Sequence, residues 1–315
     1  MLRNYLLVTF RNLFKNRIFT LINIIGLGIA LSLCIVAFFN QMFNYEFDRN
    51  NVNFESIYRI NSFRDMEGRE QEYGSVPATL ALQIKNDVPG IENVVRLARS
   101  GSSVKLGDDV FSSRVYYVDP EFTDVFTFPM VLGDSKSLTS GGNVIISQEM
   151  AAKLFGDDYP VDNMITIVTD QNKEFTFRVA GVFKDLPLNS SFRTDVITNY
   201  DNFLRMWSIN DADWKFNTTA IFVQIRDKKL VPSVTQALKK YVDIQNKARE
   251  DFKINRWVLI QLRNVGANSQ NIWGSGIYPS LHPAAVIAPP VMAVFILLIA
   301  CFNFANTSIS TFSRR

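Results

Sequence analysis

The sequence predicts an α+β domain of two lobes carried between two membrane-spanning helices, and three observations predict it. Two charge-free apolar runs lie near the ends, Ile18–Phe39 with 22 positions and Ala284–Phe302 with 19. All 30 acidic residues fall between these runs, from Glu46 to Asp251. Within that interval strand-like and helix-like patterns alternate, without long repeats or low-complexity tracts.

At helical rise the two runs would measure roughly 33 and 28 Å, against a hydrocarbon core of about 30 Å. The fourteen Ile, Leu, Val and Phe residues of the first run sum to roughly −4 to −8 kcal/mol of insertion free energy, which outweighs an off-centre Asn23. A cleaved signal peptide would be shorter and would end in small residues, whereas this run exits into NQMFNYEF, so it reads as an uncleaved anchor. Arg3, Arg11, Lys15 and Arg17 precede the first run, and Arg314 and Arg315 follow the second, with no acid at either end. Both ends are therefore expected in the cytoplasm, with the bulk of the chain outside. The other 27 of 33 basic residues leave that outer portion near −3. The overall +3 is thus a topology signal and not a nucleic-acid footprint. Both cysteines, Cys34 and Cys301, lie in the apolar runs and read as small buried hydrophobes; a Cys-free outer domain must be held by its own core.

The elements follow in order. Leu2, Leu6, Phe10, Leu13 and Phe14 stand at helical spacing among the first basic residues, so 1–17 reads either as an interfacial amphipathic helix or as the basic leader of an ordinary anchor. Phe43, Tyr45 and Phe47 after the first span, and Trp273 and Tyr278 before the second, mark the outer membrane surface. SIYRINSF reads as a strand, and VPATLALQIKND as a helix with Pro77 at its start. ENVVRLAR and VFSSRVYYV are strands, and NVIISQEMAAKLFG turns from strand into a helix ending at Gly156. EFTFRVAGVF, TTAIFVQI and RWVLIQL are further strands, the last two separated by a helix of roughly 15 residues from Val231. The β-α-β order recurs near both ends, which suggests two lobes with the middle one inserted into the other.

The residues for chemistry are sparse. With His282 as the one histidine and both cysteines in the spans, a Cys/His zinc site, a Ser-His-Asp triad and a Cys-His pair are excluded from the outer domain. Asp108-Asp109 and Asp157-Asp158 read as solvated turn formers, and Gly141-Gly142 lacks the Lys and Ser/Thr of a phosphate loop. No catalytic, cofactor-binding or metal-binding residue is predicted. The spans say more: Gly26 with Ala30, and Gly28 with Ser32, repeat a small-xxx-small spacing that admits another helix. Asn303 and Asn306 share a face near the inner end of the second span, where they want interhelical partners. Pro289-Pro290 should kink that span or mark its true start. Such faces imply further helices, from another copy or from spans beyond Arg315, and the ending reads as a cut on entering the cytoplasm.

Taken together, the stretches NYLLVTFRNLFKNRIFTLINIIGLGIALS, YEFDRNNVNFESIYRI, VDPEFTDVFTFPMVLGD, NVIISQEMAAKLFG, FRVAGVFKDLPLNSSF and FILLIACFNFANTSIS resemble the MacB/FtsX-like permeases of ABC transporters, especially the form common in Bacteroidetes. The resemblance covers nearly the whole chain. It implies a periplasmic domain with porter-like and sabre-like lobes over 44–280, an outer lobe of about 44–110 with 215–270 and an inserted one of about 111–214. It also implies spans at 18–43 and 281–306 in the bacterial inner membrane, and the start of a cytoplasmic coupling segment at 307–315. Implied partners are an ABC ATPase dimer, membrane lipid, a second permease half or a homodimer, and a periplasmic adaptor or lipoprotein. The implied function is mechanotransmission: ATP hydrolysed by the partner moves the periplasmic domain, for export or extraction of an amphiphilic substrate. Here the family's third and fourth spans are missing, and IAPPV stands where an unbroken helix is expected. A two-span sensor whose signalling module is missing shares this topology, and a membrane-anchored enzyme is disfavoured by the absent His and Cys chemistry.

Overall fold

The computed structural model describes residues 11, 14 and 17–312; the expectations for Arg3, Lys15, Arg314 and Arg315 lie outside the described residues. The chain divides into two compact units, a body of Phe47–Ser280 and a unit of the flanking segments.

In the flanking unit, α1 (Arg17–Tyr45) and α9 (Pro283–Phe312) pack against each other. Thr20–Tyr45 and Pro283–Asn303 are long and apolar enough to cross a membrane. Along α1 the covered positions recur every three or four residues, at Asn23, Gly26, Ala30, Leu33, Ala37, Asn40 and Asn44; on α9 they are Val286, Pro289, Pro290, Ala293, Ile296 and Ala300. That spacing belongs to helices crossing at a shallow angle, knobs into holes. Alanines hold the centre of the stripe, with Ala30 fully covered and Ala37 and Ala293 nearly so. Pro289-Pro290 does not mark the true start of the span, because α9 starts at Pro283 and runs through both prolines. Pro290 has no N–H to give the carbonyl one turn back, at Val286. The Gln41 side-chain amide of α1 donates to that oxygen instead, at 3.2 Å.

The body is mixed α+β. Its main sheet follows the order β13-β1-β12-β4-β5-β10-β7-β9-β6, with β2 on β1 and β8 bridging β4 and β9. The strands are β1 (Ile57–Met66), β2 (Arg69–Tyr73), β4 (Asn93–Leu106), β5 (Asp109–Val118), β6 (Met130–Gly133), β7 (Asn143–Ser147), β8 (Met164–Val168), β9 (Glu174–Phe183), β10 (Val196–Asn199), β12 (Ala220–Gln224) and β13 (Arg256–Gln261). A two-residue pair, β3 (Val76–Pro77) with β11 (Asn217–Thr218), stands apart. Because β8 pairs with both β9 and β4, the ring β4-β5-β10-β7-β9-β8 closes on itself as a six-stranded barrel. Closure removes the free edges that so short a set of strands would otherwise expose.

Each strand of the ring sends at least one residue into a shared apolar cluster: Val104, Val115, Ile146, Ile165, Phe177 and Val196. Alternation sends their neighbours the other way, so Tyr116, Ile145 and Ile197 join a second cluster outside the barrel. The four-stranded part β13-β1-β12-β4 buries that second cluster on one face, against α3 (Phe122–Val125) and α8 (Leu262–Asn268). Its other face packs on α2 (Ala78–Asp87), α6 (Val231–Leu238) and α7 (Lys240–Ala248). The helix expected from Val231 is therefore two, parted at Lys239. Since β4 runs from one part into the other without a linker, the expected limit of the inserted lobe near residue 111 falls inside β5. Two helices decorate the barrel. Ser147 Oγ caps α4 (Gln148–Phe155) by accepting from the Met150 N–H at 3.1 Å. The Asn199 side chain does the same for α5 (Tyr200–Trp207), from the Asp201 N–H at 2.8 Å.

Candidate coupling junction

Among the described residues no group of three or more His, Cys, Asp or Glu side chains is placed to hold a metal ion. What the body does assemble is a knot where its first and last segments meet one loop.

The first segment enters at Phe47 and Asp48. Phe47 is buried against α8, where a Cβ on Gly266 would stand 2.5 Å from its ring, so only glycine admits this approach. Asp48 takes a left-handed backbone conformation, φ +60°, which Asp tolerates better than most residues. Its N–H donates to Asn189 O at 2.8 Å. Its carboxylate is fully buried and accepts from the Ser191 N–H and the Ser191 hydroxyl, both at 2.6 Å, and from the Ser190 hydroxyl at 3.4 Å. The chain is then laced to the turn after α3: Asn51 Oδ1 accepts from the Thr127 N–H at 3.1 Å, the Val52 N–H donates to Thr127 Oγ1 at 2.9 Å, and Asn53 Nδ2 donates to Val125 O at 3.2 Å.

The last segment, 269–280, meets the same loop. Tyr278 donates its N–H to Ser191 O at 3.0 Å, and the Arg193 guanidinium lies 4.8 Å over the Tyr278 ring. Ser280 donates to Gly266 O at 3.0 Å. Further back, Arg59 of β1 reaches Ser275, its guanidinium donating to the hydroxyl at 3.1 Å and to the backbone oxygen, and also to Thr219 O at 3.2 Å. Gly74 makes room for it, since a Cβ there would stand 2.3 Å from a guanidinium nitrogen. Ser191 is thus bonded through its N–H and hydroxyl to the first segment and through its carbonyl to the last.

Burial sets the electrostatics of both anchors. It pushes the Asp48 carboxyl up to about 6, against the hydrogen bonds of Ser191 and Ser190, which favour the charged form. It also brings Arg59 down to about 9, opposed by the negative charge of Glu72. Neither ion has a salt-bridge partner among the described residues, so Asp48 is held by neutral hydroxyls and an N–H, and Arg59 by a hydroxyl and backbone carbonyls. Arg96 is the contrast: it forks onto the Asp119 carboxylate, reaches Asp211 Oδ2 at 2.5 Å and lies 4.0 Å over the Tyr200 ring, pinning β4 to α5.

The residues singled out in the sequence fall elsewhere. Gly26 and Ala30 lie on the α1 stripe that meets α9, whereas Gly28 and Ser32 are exposed and the Ser32 hydroxyl donates to Gly28 O at 2.9 Å within its own helix. A Cβ on Gly26 or Gly28 would have nothing within 4 Å, so the hairpin itself requires neither glycine. Asn303 and Asn306 are exposed on α9. Arg11 and Arg17 are exposed, the latter donating to Phe14 O at 3.1 Å. Sequence reasoning missed Asp48, Ser190, Ser191 and Arg59 as a set. YEFDRNN and LPLNSSF were both conspicuous, but nothing in one sequence pairs positions 143 residues apart.

Several solved structures are similar to this chain. A permease-protein domain from Porphyromonas gingivalis superposes with a TM-score of 0.56 at 20% identity, over 68% of this chain and 92% of that one. The extracellular domain of the noncanonic ABC-type transporter YknZ from Gram-positive bacteria gives 0.48 at 16% identity, over 65% and 99%. The periplasmic region of MacB from Actinobacillus actinomycetemcomitans gives 0.47 at 16% identity, over 67% and 90%. No curated protein matches the chain. The family described as the MacB-like periplasmic core domain matches residues 19–241, more than half of the sequence, and the chain belongs to that family.

Proposed function

We propose that this chain is a permease subunit of an ABC transporter working by mechanotransmission. A partner ATPase dimer hydrolyses ATP in the cytoplasm, and α1 and α9 carry the displacement across the inner membrane to the body in the periplasm. There the movement drives export or extraction of an amphiphilic substrate, with an adaptor or a lipoprotein as a periplasmic partner. The ATPase chemistry belongs to the partner. The observation that carries the reading is Ser191, bonded to Asp48 on one side and Tyr278 on the other. Asp48 follows the last residue of α1 by three positions, and Tyr278 precedes α9 by five. A displacement entering through either helix therefore meets the body at one loop, and a stiff joint transmits force where two loose linkers would absorb it.

The test uses the chain with its partner ATPase in nanodiscs, Cys34 and Cys301 replaced by alanine, and a fluorophore on Val110→Cys read against lipid-headgroup acceptors. Energy transfer should change on ATP addition. Ser191→Pro, which deletes the N–H given to Asp48, should leave basal ATP turnover intact and abolish that change. A full ATP-driven signal in the Ser191→Pro protein, verified as folded by circular dichroism, would overturn the reading.

A further inference from the structure

We propose that the Asp48–Ser190–Ser191 clasp is a proton-controlled latch, which tightens the joint in acid and frees it near neutrality; this rests on the mechanotransmission reading above. The geometry is a carboxyl with no solvent contact, placed three residues past a membrane-spanning helix and held by two hydroxyls and one N–H. Charged groups on the surrounding segments are turned to other tasks. Arg49 lies over the Phe54 ring, Arg193 lies over Tyr278 and donates to Leu188 O, Asp185 accepts from the Glu149 N–H, and Arg263 acts on Glu55. Asp124, on the turn that Asn53 reaches, offers that side chain only its backbone oxygen. Among the described residues no salt bridge reaches Asp48, and its ionisation is set by burial against the hydrogen bonds of Ser191 and Ser190.

The sign follows from linkage. The closed clasp holds the carboxyl at about 6, and an opened clasp returns it to water and to the ordinary value of about 3.9. An acid that binds its proton more tightly in the closed state favours closure below the open-state value, and loses that advantage as pH rises through the closed-state value. Opening should therefore become roughly tenfold easier between about pH 5 and pH 7. A structural Asp neutralised by an arginine would show the opposite trend, with closure lost in acid.

Hydrogen–deuterium exchange of the full chain in nanodiscs reads the latch through the peptide spanning 186–193, which contains the Ser191 amide, with rates corrected for intrinsic exchange at each pH. Protection should fall about tenfold from about pH 5 to pH 7 in the wild type, and it should be flat in Asp48→Asn. Ser191→Ala, which removes a bond favouring the charged form, should move the transition to higher pH and serves if the asparagine protein does not fold. Protection that is flat in the wild type, or that rises with pH, overturns the latch. The ATP-driven energy-transfer change should be larger at pH 5, where the clasp is closed and the joint stiff, than at pH 7. A pH-dependent clasp with an equal signal at both values would refute its regulatory role and leave the permease reading standing. A signal absent at every pH would refute the permease reading itself.

Discussion

Gly266 shows how much of this molecule turns on single positions. Its Cα lies against the Phe47 ring, and a methyl group would have to enter at 2.5 Å, where neither the α8 backbone nor a buried ring can yield cheaply. Gly266→Ala should cost about 1–3 kcal/mol, as other overpacked cores do. Thermal unfolding of the solubilised chain should show it, while Gly142→Ala, with nothing within 4 Å of the new methyl, should cost far less. Arg59 poses a different balance, because its buried charge is costly and its bonds to Ser275 and Thr219 offset that cost without a counter-ion. Arg59→Met keeps the stem and removes the charge, so global stability should change little while the 273–276 segment loosens. Limited proteolysis within that segment is the measurement, and an unchanged cleavage rate would show that Arg59 does not restrain it. None of this was legible beforehand. A glycine in VGANS or an arginine in IYRIN looks ordinary until the fold brings Phe47 or Ser275 against it.

At the level of elements the sequence was readable where a pattern was local. The strands at 57, 93, 109, 143, 174, 220 and 256 all lie in stretches whose β-branched and aromatic content marked them. The short ones, β6, β8 and β10, were not marked, and β8 and β10 complete the barrel: MITIV and VITN carry too few residues to show a period, and only pairing with β4, β9, β5 and β7 makes them strands. The helical hairpin raises a further question of pattern, since Gly26 and Gly28 are not required by α9. Glycine costs about 1 kcal/mol against alanine in a helix, and we propose that Gly28, on the exposed face, serves a helix approaching from outside the hairpin. Gly28→Leu, on the exposed face, should leave the chain folded and inserted but weaken its co-purification with neighbouring helices, whether of a second copy or of further spans. Gly28→Ala should be tolerated. Equal assembly of the leucine and alanine proteins, compared by crosslinking in membranes, would reject this face as an interface.

For the molecule as a whole, the proposed topology rests on the distribution of charge. Three basic residues stand before α1, Arg17 opens it and two more stand at the other end, without a single acid, whereas every acidic residue lies in the intervening segment from Glu46 to Asp251. Translocating the body moves a segment of net charge near −3 and leaves the basic ends behind, which is the arrangement that the bias of Lys and Arg toward the cytoplasm favours. The body has no cysteine, so no disulfide within it contributes to its stability. The two native cysteines can therefore be replaced by alanine, giving a background in which one introduced thiol reports one position. In intact spheroplasts, an impermeant maleimide should label Val110→Cys at the β4–β5 turn and Tyr159→Cys beside the barrel. It should leave Asn16→Cys and Ser313→Cys unmodified until the membrane is broken. Labelling of the two ends before lysis, or protection of the body, would invert the topology. An inverted chain would place Asp48 and Ser191 on the side of ATP hydrolysis, where a joint between the helices and the body could carry no force outward.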